Sequence, residues 1–289
     1  MRSLLFVPGH DARKLAKGLV AGADALIVDL EDAVPEAEKV RARSVAAQFV
    51  ADNHTALPIF VRVNAANTGL MLDDLAAVVG ARPYGIMLPK CAGAQDVALM
   101  DAYLSALEAR EGVSVGTLRV LPIVTESAAA LLSMHSYVQA PARICGMLWG
   151  GEDLAADVGT VSNRDASGAY TAPYELARSM TLMGATAAQV MAVDAVYTNF
   201  RDPEGLRAEA ERALRDGFSA KAAIHPDQVA VINAAFTPSE QAVDWARQVI
   251  AAFDAAPSAG ALSLNGKMLD RPHYRAAQRV LVRVHPPKN

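Results

Sequence analysis

The 289-residue sequence has few cysteines, few aromatic residues, no long apolar segment and no excess of basic residues. Its two cysteines, Cys91 and Cys145, exclude a disulfide framework and a cysteine-based zinc cluster, so we expect two reduced thiols. No apolar run has the length of a membrane-spanning helix. The net charge of −4 excludes the broad basic surface that is typical of nucleic-acid-binding proteins.

The first residues also lack the features of a signal peptide, because the apolar run over residues 3–8 is too short. We therefore expect a cytoplasmic protein. Hydrophobic residues make up 52% of the sequence and charged residues 20%, which is typical of a compact folded chain.

Eight short apolar runs alternate with alanine-rich segments of helical periodicity. Near-continuous apolar runs are typical of strands that are buried on both faces of a parallel sheet. The predicted strands are Ser3–Val7, Ala25–Asp29, Ile59–Val63, Gly85–Leu88, Val120–Val124, Met147–Trp149, Ala195–Tyr197 and Ala222–Ile224. The predicted helices between them are Glu36–Val50, Ala94–Ala109, Ala128–Tyr137, Pro173–Gly184 and Glu204–Asp216.

This alternation predicts a (β/α)8 (TIM) barrel over residues 1–236. A doubly wound open sheet would carry a Gly-x-Gly-x-x-Gly turn after its first strand, but residues 8–13 read PGHDAR. Residues 237–289 lie outside the alternation, with predicted helices at Gln241–Phe253 and His273–Val282. We expect this C-terminal extension to form an active-site lid or an intersubunit arm.

Active sites of such barrels lie at the carboxyl ends of the strands. The polar residues predicted there are His10, Glu31, Asp32, Arg62, Asn64, Lys90, Glu126, Asp153, Arg201, Asp202 and His225. Acids are suited to hold a metal ion and bases to hold anions, so this set favours an enzyme that acts on a small anionic substrate.

Glu126 and Asp153 follow two successive predicted strands and are candidate ligands of Mg2+, which uses one or two protein carboxylates and keeps several waters. Such a metal acts as a Lewis acid on a bound carbonyl or alkoxide. In the structural alternative, Glu126 pairs with a neighbouring base and Asp153 caps a helix beginning near Leu154. Spacing alone favours neither interpretation.

Arg62 lies among apolar strand residues, where an unpaired guanidinium would be costly to bury. It is expected to pair with Glu31 or Asp32, to clamp a substrate carboxylate or a developing enolate, or to do both. A histidine such as His225 at a strand end is expected to have a supporting role.

Several basic residues fall near the starts of the first two helices: Arg13, Lys14, Lys39, Arg41 and Arg43. A solvated helix face explains each of them singly. Their proximity to one rim of the barrel also suits the phosphorylated handle of a cofactor, for which we select Arg13, Lys14 and Lys39.

Several short motifs follow one another along the chain: LFVPG at residues 5–9, GADALIVDLEDAVP at 22–35, RVN at 62–64, LPK at 88–90, GGEDL at 150–154, AIHP at 223–226 and GKMLDRP at 266–272. Taken in order, these motifs resemble the citrate lyase β-subunit-like family of acyl-CoA lyases, in the HpcH/HpaI aldolase/citrate lyase superfamily, which includes malyl-CoA and citramalyl-CoA lyases. They extend over nearly the whole chain, and their order and spacing are specific.

The resemblance implies a Mg2+-dependent (β/α)8 barrel that assembles as a homotrimer or hexamer. It implies that Glu126 and Asp153 bind the metal, that Arg62 and Glu126 contact substrate, and that Arg62 and Asp270 are catalytic. It further implies that Asp270 is the general acid/base and reaches the site of a neighbouring subunit.

The implied reaction is cleavage or formation of a 3-hydroxyacyl-CoA such as malyl-CoA or citramalyl-CoA. The products of cleavage would be acetyl-CoA or propionyl-CoA and a 2-oxo acid, glyoxylate or pyruvate. The alternatives are a citryl-carrier-protein lyase subunit of a larger complex, a CoA-independent 2-oxo-acid aldolase, an additional thioesterase step, and a non-catalytic subunit that binds CoA esters.

The sequence departs from the family pattern at three places. Ser127 replaces the usual threonine, and Ala220 replaces the glycine that commonly precedes the lysine. The segment Gly159–Tyr170, which follows the predicted metal-binding loop, is unlike the family, so the resemblance does not determine which substrate is used.

Overall fold

The computed structural model describes residues 1–284 and divides the chain into two compact units, with the boundary between Asn233 and Ala234. The predicted boundary between residues 236 and 237 lies close to this division. Residues 285–289 of the predicted extension lie outside the described residues.

The first unit contains eight parallel strands. They are β1 (Ser3–Pro8), β2 (Ala25–Asp29), β3 (Ile59–Arg62), β4 (Gly85–Leu88), β5 (Arg119–Pro122), β6 (Gly146–Leu148), β7 (Met191–Asp194) and β8 (Ala220–Ala223). β1 pairs with both β2 and β8, and pairing continues in order to β5 on one side and to β6 on the other. Parallel bridges Ile123–Leu148 and Val120–Ile144 then join the two edge strands. The predicted (β/α)8 barrel is confirmed.

The strands are buried because their residues are apolar on both faces. One face contributes to a cluster inside the barrel that includes Leu4, Ile27, Phe60, Met87 and Leu121. The other face is covered by the surrounding helices, and β2 and β4 are buried along their whole length. Burial on both faces is the reason that the apolar runs predict these strands.

The predicted position of the seventh strand, Ala195–Tyr197, is wrong, because the strand is β7, Met191–Asp194. Asp194 interrupts the apolar run in sequence. In the structure Asp194 is buried at the end of β7, where the Lys221 ammonium, 2.7 Å away, compensates its charge.

The helices of this unit are α1 (Ala12–Leu19), α2 (Lys39–Asn53), α3 (Met71–Val78), α4 (Ala94–Arg110), α5 (Ala128–Leu132), α6 (Glu152–Val158), α7 (Ala172–Ala187), α8 (Pro203–Asp216) and α9 (Pro226–Phe236), which crosses the unit boundary. The predicted helix Ala128–Tyr137 is divided into α5 and a 3₁₀ helix, Met134–Gln139. Side chains cap several starts, as Asp11 does for α1 by accepting from the N–H groups of Arg13 and Lys14.

The second unit consists of α10 (Glu240–Asp254), an antiparallel hairpin of β9 (Ala261–Leu264) and β10 (Lys267–Asp270), and α11 (Arg271–Val284). The two helices and the hairpin share a small core that includes Val249, Phe253, Leu269 and Ala277. The role of this second unit as an active-site lid or oligomer interface stays a prediction.

Within residues 1–284, no helix combines the length and the apolar character that are needed to cross a lipid bilayer.

Candidate active site

A cavity of about 420 Å³ opens at the carboxyl ends of the barrel strands. Its wall includes residues at or just beyond the ends of β1, β2, β3, β6 and β7, among them Pro8, Asp29, Arg62, Trp149 and Ala195. This is the end of the barrel at which the architecture predicts an active site. Glu126 and Asp153 also line the cavity, so the structure brings the two predicted metal ligands together with Arg62.

Arg62 is held mainly by Asp29, a partner that the sequence analysis missed. Arg62 Nε donates to Asp29 Oδ1 at 2.7 Å and Nη2 donates to Asp29 Oδ2 at 2.6 Å. The two residues are register partners at the ends of β2 and β3, so sheet pairing aligns the guanidinium with the carboxylate. Such a bidentate pair fixes the plane of the guanidinium.

The predicted partners of Arg62 also lie nearby. Arg62 Nη1 is 3.0 Å from Glu31 Oε2 and 3.6 Å from Asp32 Oδ2, and the guanidinium carbon lies 5.0 Å from the centre of the Phe6 ring. Burial alone would lower the pKa of Arg62, but its hydrogen bonds to Asp29 and the negative charges of Asp29, Glu31 and Asp32 raise the pKa above its ordinary value. Arg62 is therefore a permanently charged and immobilised group in the cavity wall.

Lys90 connects three acidic side chains of the site. Its ammonium donates to Glu31 Oε1 at 2.7 Å and lies 3.4 Å from Asp153 Oδ1. Its backbone, in the left-handed region with φ of 51°, donates its N–H to Glu126 Oε2. The sequence placed Lys90 at a strand end but did not assign it this connecting role.

Glu126 is nearly buried, with 6% of its surface exposed. Burial raises its pKa to about 8, opposed by the hydrogen bond from Lys90 and reinforced by the charges of Asp153 and Glu31. Within residues 1–284, the Lys90 N–H is the one hydrogen-bond donor to this carboxylate. A buried carboxylate with so little compensation is a suitable ligand for a cation.

Asp153 lies in the first turn of α6, whose N-cap residue is Gly151. It therefore does not cap a helix beginning near Leu154, and the structural alternative for this residue is wrong. Gly150 is the reason that the loop can approach Glu126, since a Cβ atom there would lie 3.0 Å from Glu126 Cγ.

The donor set fits Mg2+ better than a metal that requires a complete protein cage. Among residues 1–284, no three His, Cys, Asp or Glu side chains are arranged to hold a metal on their own. Mg2+ needs only one or two carboxylates because it retains waters or substrate oxygens. Of the described residues that line the cavity, five are acidic and one, Arg62, is basic, so an anionic substrate would require an added cation.

The basic residues predicted to bind a cofactor phosphate do not form one group. Lys39 is buried and donates to Leu30 O at 2.8 Å, to Glu31 O at 2.7 Å and to Asn64 Oδ1 at 2.7 Å. Its three N–H groups are thus used within the protein, and the predicted phosphate contact of Lys39 has no free donor in this structure. Arg13 and Lys14 are exposed on α1, and their phosphate contact stays a prediction.

Two further basic residues also have internal partners. Arg41 donates to Glu38 at 2.7 Å, and Arg43 donates to the buried Asp74 at 2.7 Å. The solvated-face interpretation is therefore incomplete for Arg43, which is mostly covered.

Two other polar residues predicted at strand ends, Asp202 and His225, lie outside the cavity wall. Asp202 caps α8 through Gly205 N and accepts the Tyr197 hydroxyl at 2.7 Å. His225 stacks on Phe200 with a centroid separation of 5.0 Å. These contacts are consistent with supporting roles.

Asp270 belongs to the second unit, at the end of β10. Its Oδ1 lies 2.6 Å from His273 Nδ1, and both side chains are about half exposed. Its role as a general acid/base of a neighbouring subunit stays a prediction.

Two aromatic residues of the cavity wall were not singled out from the sequence. Trp149 follows β6, and Tyr170 ends the segment Gly159–Tyr170; their rings meet edge to face at 5.0 Å. Trp149 could have been recognised from its position at a strand end. Tyr170 does not follow a strand, and in the sequence its segment stands out only as a departure from the family pattern; the loop after α6 brings it to the site.

Comparison with known proteins assigns this architecture to a family. Residues 2–226 match the HpcH/HpaI aldolase/citrate lyase family. The mitochondrial citramalyl-CoA lyase of Mus musculus is 32% identical over 97% of this chain and 85% of its own length. The (3S)-malyl-CoA thioesterase of Cereibacter sphaeroides (strain KD131) is 34% identical over 98% of this chain and 94% of its own length.

A solved structure is similar over the whole chain as well. It is the CitE protein of Mycobacterium tuberculosis in complex with magnesium, acetoacetate and coenzyme A, with a TM-score of 0.80 and 34% sequence identity. The similarity covers 98% of this chain and 97% of that one. The chain therefore belongs to the HpcH/HpaI aldolase/citrate lyase family and is an enzyme of the carbon–carbon lyase type.

Proposed function

We propose that this protein is a Mg2+-dependent lyase that cleaves or forms a 3-hydroxyacyl-CoA such as malyl-CoA or citramalyl-CoA. Cleavage would yield acetyl-CoA, or propionyl-CoA from a homologous ester, together with glyoxylate or pyruvate. The observation that carries the proposal is the single cavity in which Glu126 and Asp153 face the immobilised guanidinium of Arg62.

The acidic residues support the metal dependence. Glu126 and Asp153 would hold the cation, and Lys90 orients both of them through its backbone N–H and its ammonium. When bound, Mg2+ would supply Lewis acidity to the oxygens of the 2-oxo-acid half of the substrate.

Arg62 supports the lyase chemistry because carbon–carbon cleavage leaves negative charge on the thioester oxygen of an enolate. The Nε group and one Nη2 N–H of Arg62 are engaged with Asp29, and Nη1 lies 3.0 Å from Glu31 Oε2, which fixes the side chain. The second N–H of Nη2 would then be the donor for substrate. A fixed positive charge placed before the reaction stabilises developing negative charge without reorganisation.

Proton transfer is assigned to Asp270 of a neighbouring subunit. In cleavage its carboxylate would remove the proton of the 3-hydroxyl group as the C–C bond breaks, and the electron pair of that bond would form the enolate. The enolate carbon would then be protonated to give the acetyl group. In condensation the same carboxylate would act as a base towards acetyl-CoA, which is general acid–base catalysis in both directions. The proposal therefore includes a homotrimer or hexamer.

The test is the release of acetyl-CoA from malyl-CoA and from citramalyl-CoA by the purified full chain with Mg2+. Cleavage of one ester is expected, with loss of activity in EDTA and in the Asp270→Asn variant. Asp244→Asn is the matched control, since Asp244 is an exposed acid of the same unit whose ion-pair partner among residues 1–284 is Arg247 on its own helix. Retained activity in Asp270→Asn would remove that residue from the mechanism.

Product analysis in the same assay distinguishes a second candidate function. The similarity to a malyl-CoA thioesterase favours testing whether free CoA and malate appear in place of acetyl-CoA and glyoxylate. Failure to cleave either ester would instead favour a carrier-protein thioester, a CoA-independent aldolase reaction or a non-catalytic subunit.

A further inference from the structure

Six side chains form a closed circuit of contacts that begins and ends at the cavity wall. The indole Nε1 of Trp149 donates to Asp194 Oδ1 at 2.8 Å, and Asp194 Oδ2 accepts from the Lys221 ammonium at 2.7 Å. Asp194 lies at the end of β7 and Lys221 lies within β8, and both side chains are fully buried. This part of the circuit fixes the indole to the barrel.

The circuit continues outwards from Lys221 to the loop that follows α6. Lys221 Nζ donates to Glu209 Oε1 at 2.8 Å, and Glu209 Oε2 accepts from Arg164 Nη2 at 2.8 Å. Each oxygen of the Glu209 carboxylate therefore receives a charged donor, which makes both hydrogen bonds strong ones. The loop is thereby tied to α8 and to the barrel interior.

Arg164 closes the circuit by holding Tyr170. Its guanidinium carbon lies 3.7 Å from the centre of the Tyr170 ring, and that ring packs edge to face on Trp149. Arg164 and Tyr170 are also antiparallel bridge partners, and Arg164 Nη1 donates to Gly168 O at 2.8 Å. The loop is thus a short ordered turn whose end is fixed by one arginine.

The aromatic pair adjoins the proposed metal ligands. A Cβ atom on Gly151 would lie 3.3 Å from Trp149 Cζ3, and a Cβ atom on Gly150 would lie 3.0 Å from Glu126 Cγ. The Gly150–Gly151 turn therefore lies against both the Trp149 indole and the Glu126 side chain. Tyr170 and Trp149 both line the cavity at this place.

We propose that Tyr170, held between Arg164 and Trp149, determines which substituent on the 2-oxo-acid half of the substrate the cavity accepts, and that Arg164 is its positioning residue. This inference rests on the proposed function. The ester derived from glyoxylate carries a hydrogen atom on the carbon at which the ester derived from pyruvate carries a methyl group. The Tyr170 ring is held by the stacked guanidinium of Arg164 and by its edge-to-face contact with Trp149, so it is restrained from moving to admit an added methyl group and its position sets the size limit.

The kinetic test compares kcat/KM for malyl-CoA and citramalyl-CoA in the full-length protein and its variants. Tyr170→Ala is expected to raise the citramalyl-CoA to malyl-CoA ratio by about tenfold or more, because one methyl group in a fitted pocket is worth at least that factor. Arg164→Met is expected to shift the ratio in the same direction, and Arg164→Lys, which keeps the charge for Glu209, is expected to restore part of the original ratio.

Tyr174→Phe is the matched control, since Tyr174 is buried beside Tyr170 with ring centres 6.4 Å apart but does not line the cavity. It should leave the ratio unchanged. An equal loss of activity towards both esters in Tyr170→Ala, or an unchanged ratio, would overturn the inference.

A binding measurement separates this inference from the proposed function. The chain contains two tryptophans, Trp149 and Trp245, so Trp245→Phe leaves Trp149 as the only indole reporter. Glyoxylate and pyruvate are titrated with Mg2+ in this background, with and without Tyr170→Ala, and the ratio of their dissociation constants is expected to shift about tenfold towards pyruvate.

If the protein cleaves neither ester but the binding ratio shifts, the proposed reaction fails and the role of Tyr170 stands. If the esters are cleaved and neither ratio shifts, the role of Tyr170 alone is refuted. If neither 2-oxo acid binds and neither ester is cleaved, both are refuted.

Discussion

Glu126→Gln is expected to change the pH dependence of stability and to remove the response to Mg2+. Burial raises the pKa of Glu126 to about 8 from an ordinary value of 4.5. Between these two values the folded metal-free protein binds a proton that the unfolded chain releases. The free energy of unfolding contributed by this group therefore falls as the pH rises from 4.5 to about 8.

The size of the effect follows from the width of this pH range. Each pH unit within it costs about 1.4 kcal/mol, so the wild-type protein should lose about 3 kcal/mol between pH 5 and pH 7 through this group. The amide of the variant does not titrate, and its Oε1 can still accept the Lys90 N–H. Any cost of burying the amide is independent of pH and cancels in the comparison.

The assay is urea-induced unfolding in EDTA at several pH values from 5 to 8, followed by circular dichroism. The stability of Glu126→Gln relative to the wild type should increase by about 3 kcal/mol from pH 5 to pH 7. Glu211→Gln, at an exposed position on α8, is the control and should follow the wild type. Added Mg2+ should stabilise the wild type by binding the folded state and should have little effect on Glu126→Gln.

Parallel pH profiles for Glu126→Gln and the wild type would refute the account of a poorly compensated buried carboxylate. Equal stabilisation of both proteins by Mg2+ would remove Glu126 from the proposed metal site.

Three further outcomes are expected. Arg62→Lys loses the bidentate contact with Asp29 and should lower kcat/KM for ester cleavage by about 100-fold, measured under conditions in which circular dichroism shows an intact fold. Arg143→Met leaves the buried Glu108 without its ion pair and should lower the free energy of unfolding by about 3–5 kcal/mol in urea, with little change in KM. Burial alone would raise the pKa of Glu108. Hydrogen bonds from Arg143 and from backbone N–H groups outweigh the effect of burial, so the pKa lies below its ordinary value. The advantage of the wild type over Glu108→Gln should therefore be present at neutral pH and decline as the pH falls below 4.5, and an advantage that is constant down to pH 3 would contradict this assignment.

The sequence alone determined the barrel, because the pattern of burial is local. A strand covered on both faces must be apolar at nearly every position, and β2 and β4 show this without reference to any other part of the chain. The carboxyl ends of such strands must meet in a barrel, so Arg62, Glu126 and Asp153 could be expected in one cavity. The resemblance to a family added the expected roles of those residues.

Only the tertiary structure decided which partners these residues have. Asp29 could be recognised as the partner of Arg62 only once the register of β2 and β3 was known. Lys39 was selected as a phosphate ligand because it falls with other basic residues near one rim of the barrel, yet oxygens of Leu30, Glu31 and Asn64 surround its ammonium. Asp194 interrupts an apolar run in sequence, and its burial depends on Lys221, which lies 27 residues away.

The same limit explains why Tyr170 was not recognised as part of the cavity wall. Its position depends on Arg164, and that of Arg164 on Glu209, which is 45 residues further along the chain. Hydrophobic periodicity records which face of a segment is buried, whereas an ion pair between distant segments leaves no periodic signal. The sequence therefore determined the barrel and the end of it at which chemistry occurs, and the folded chain decided which side chains are held there and in what orientation.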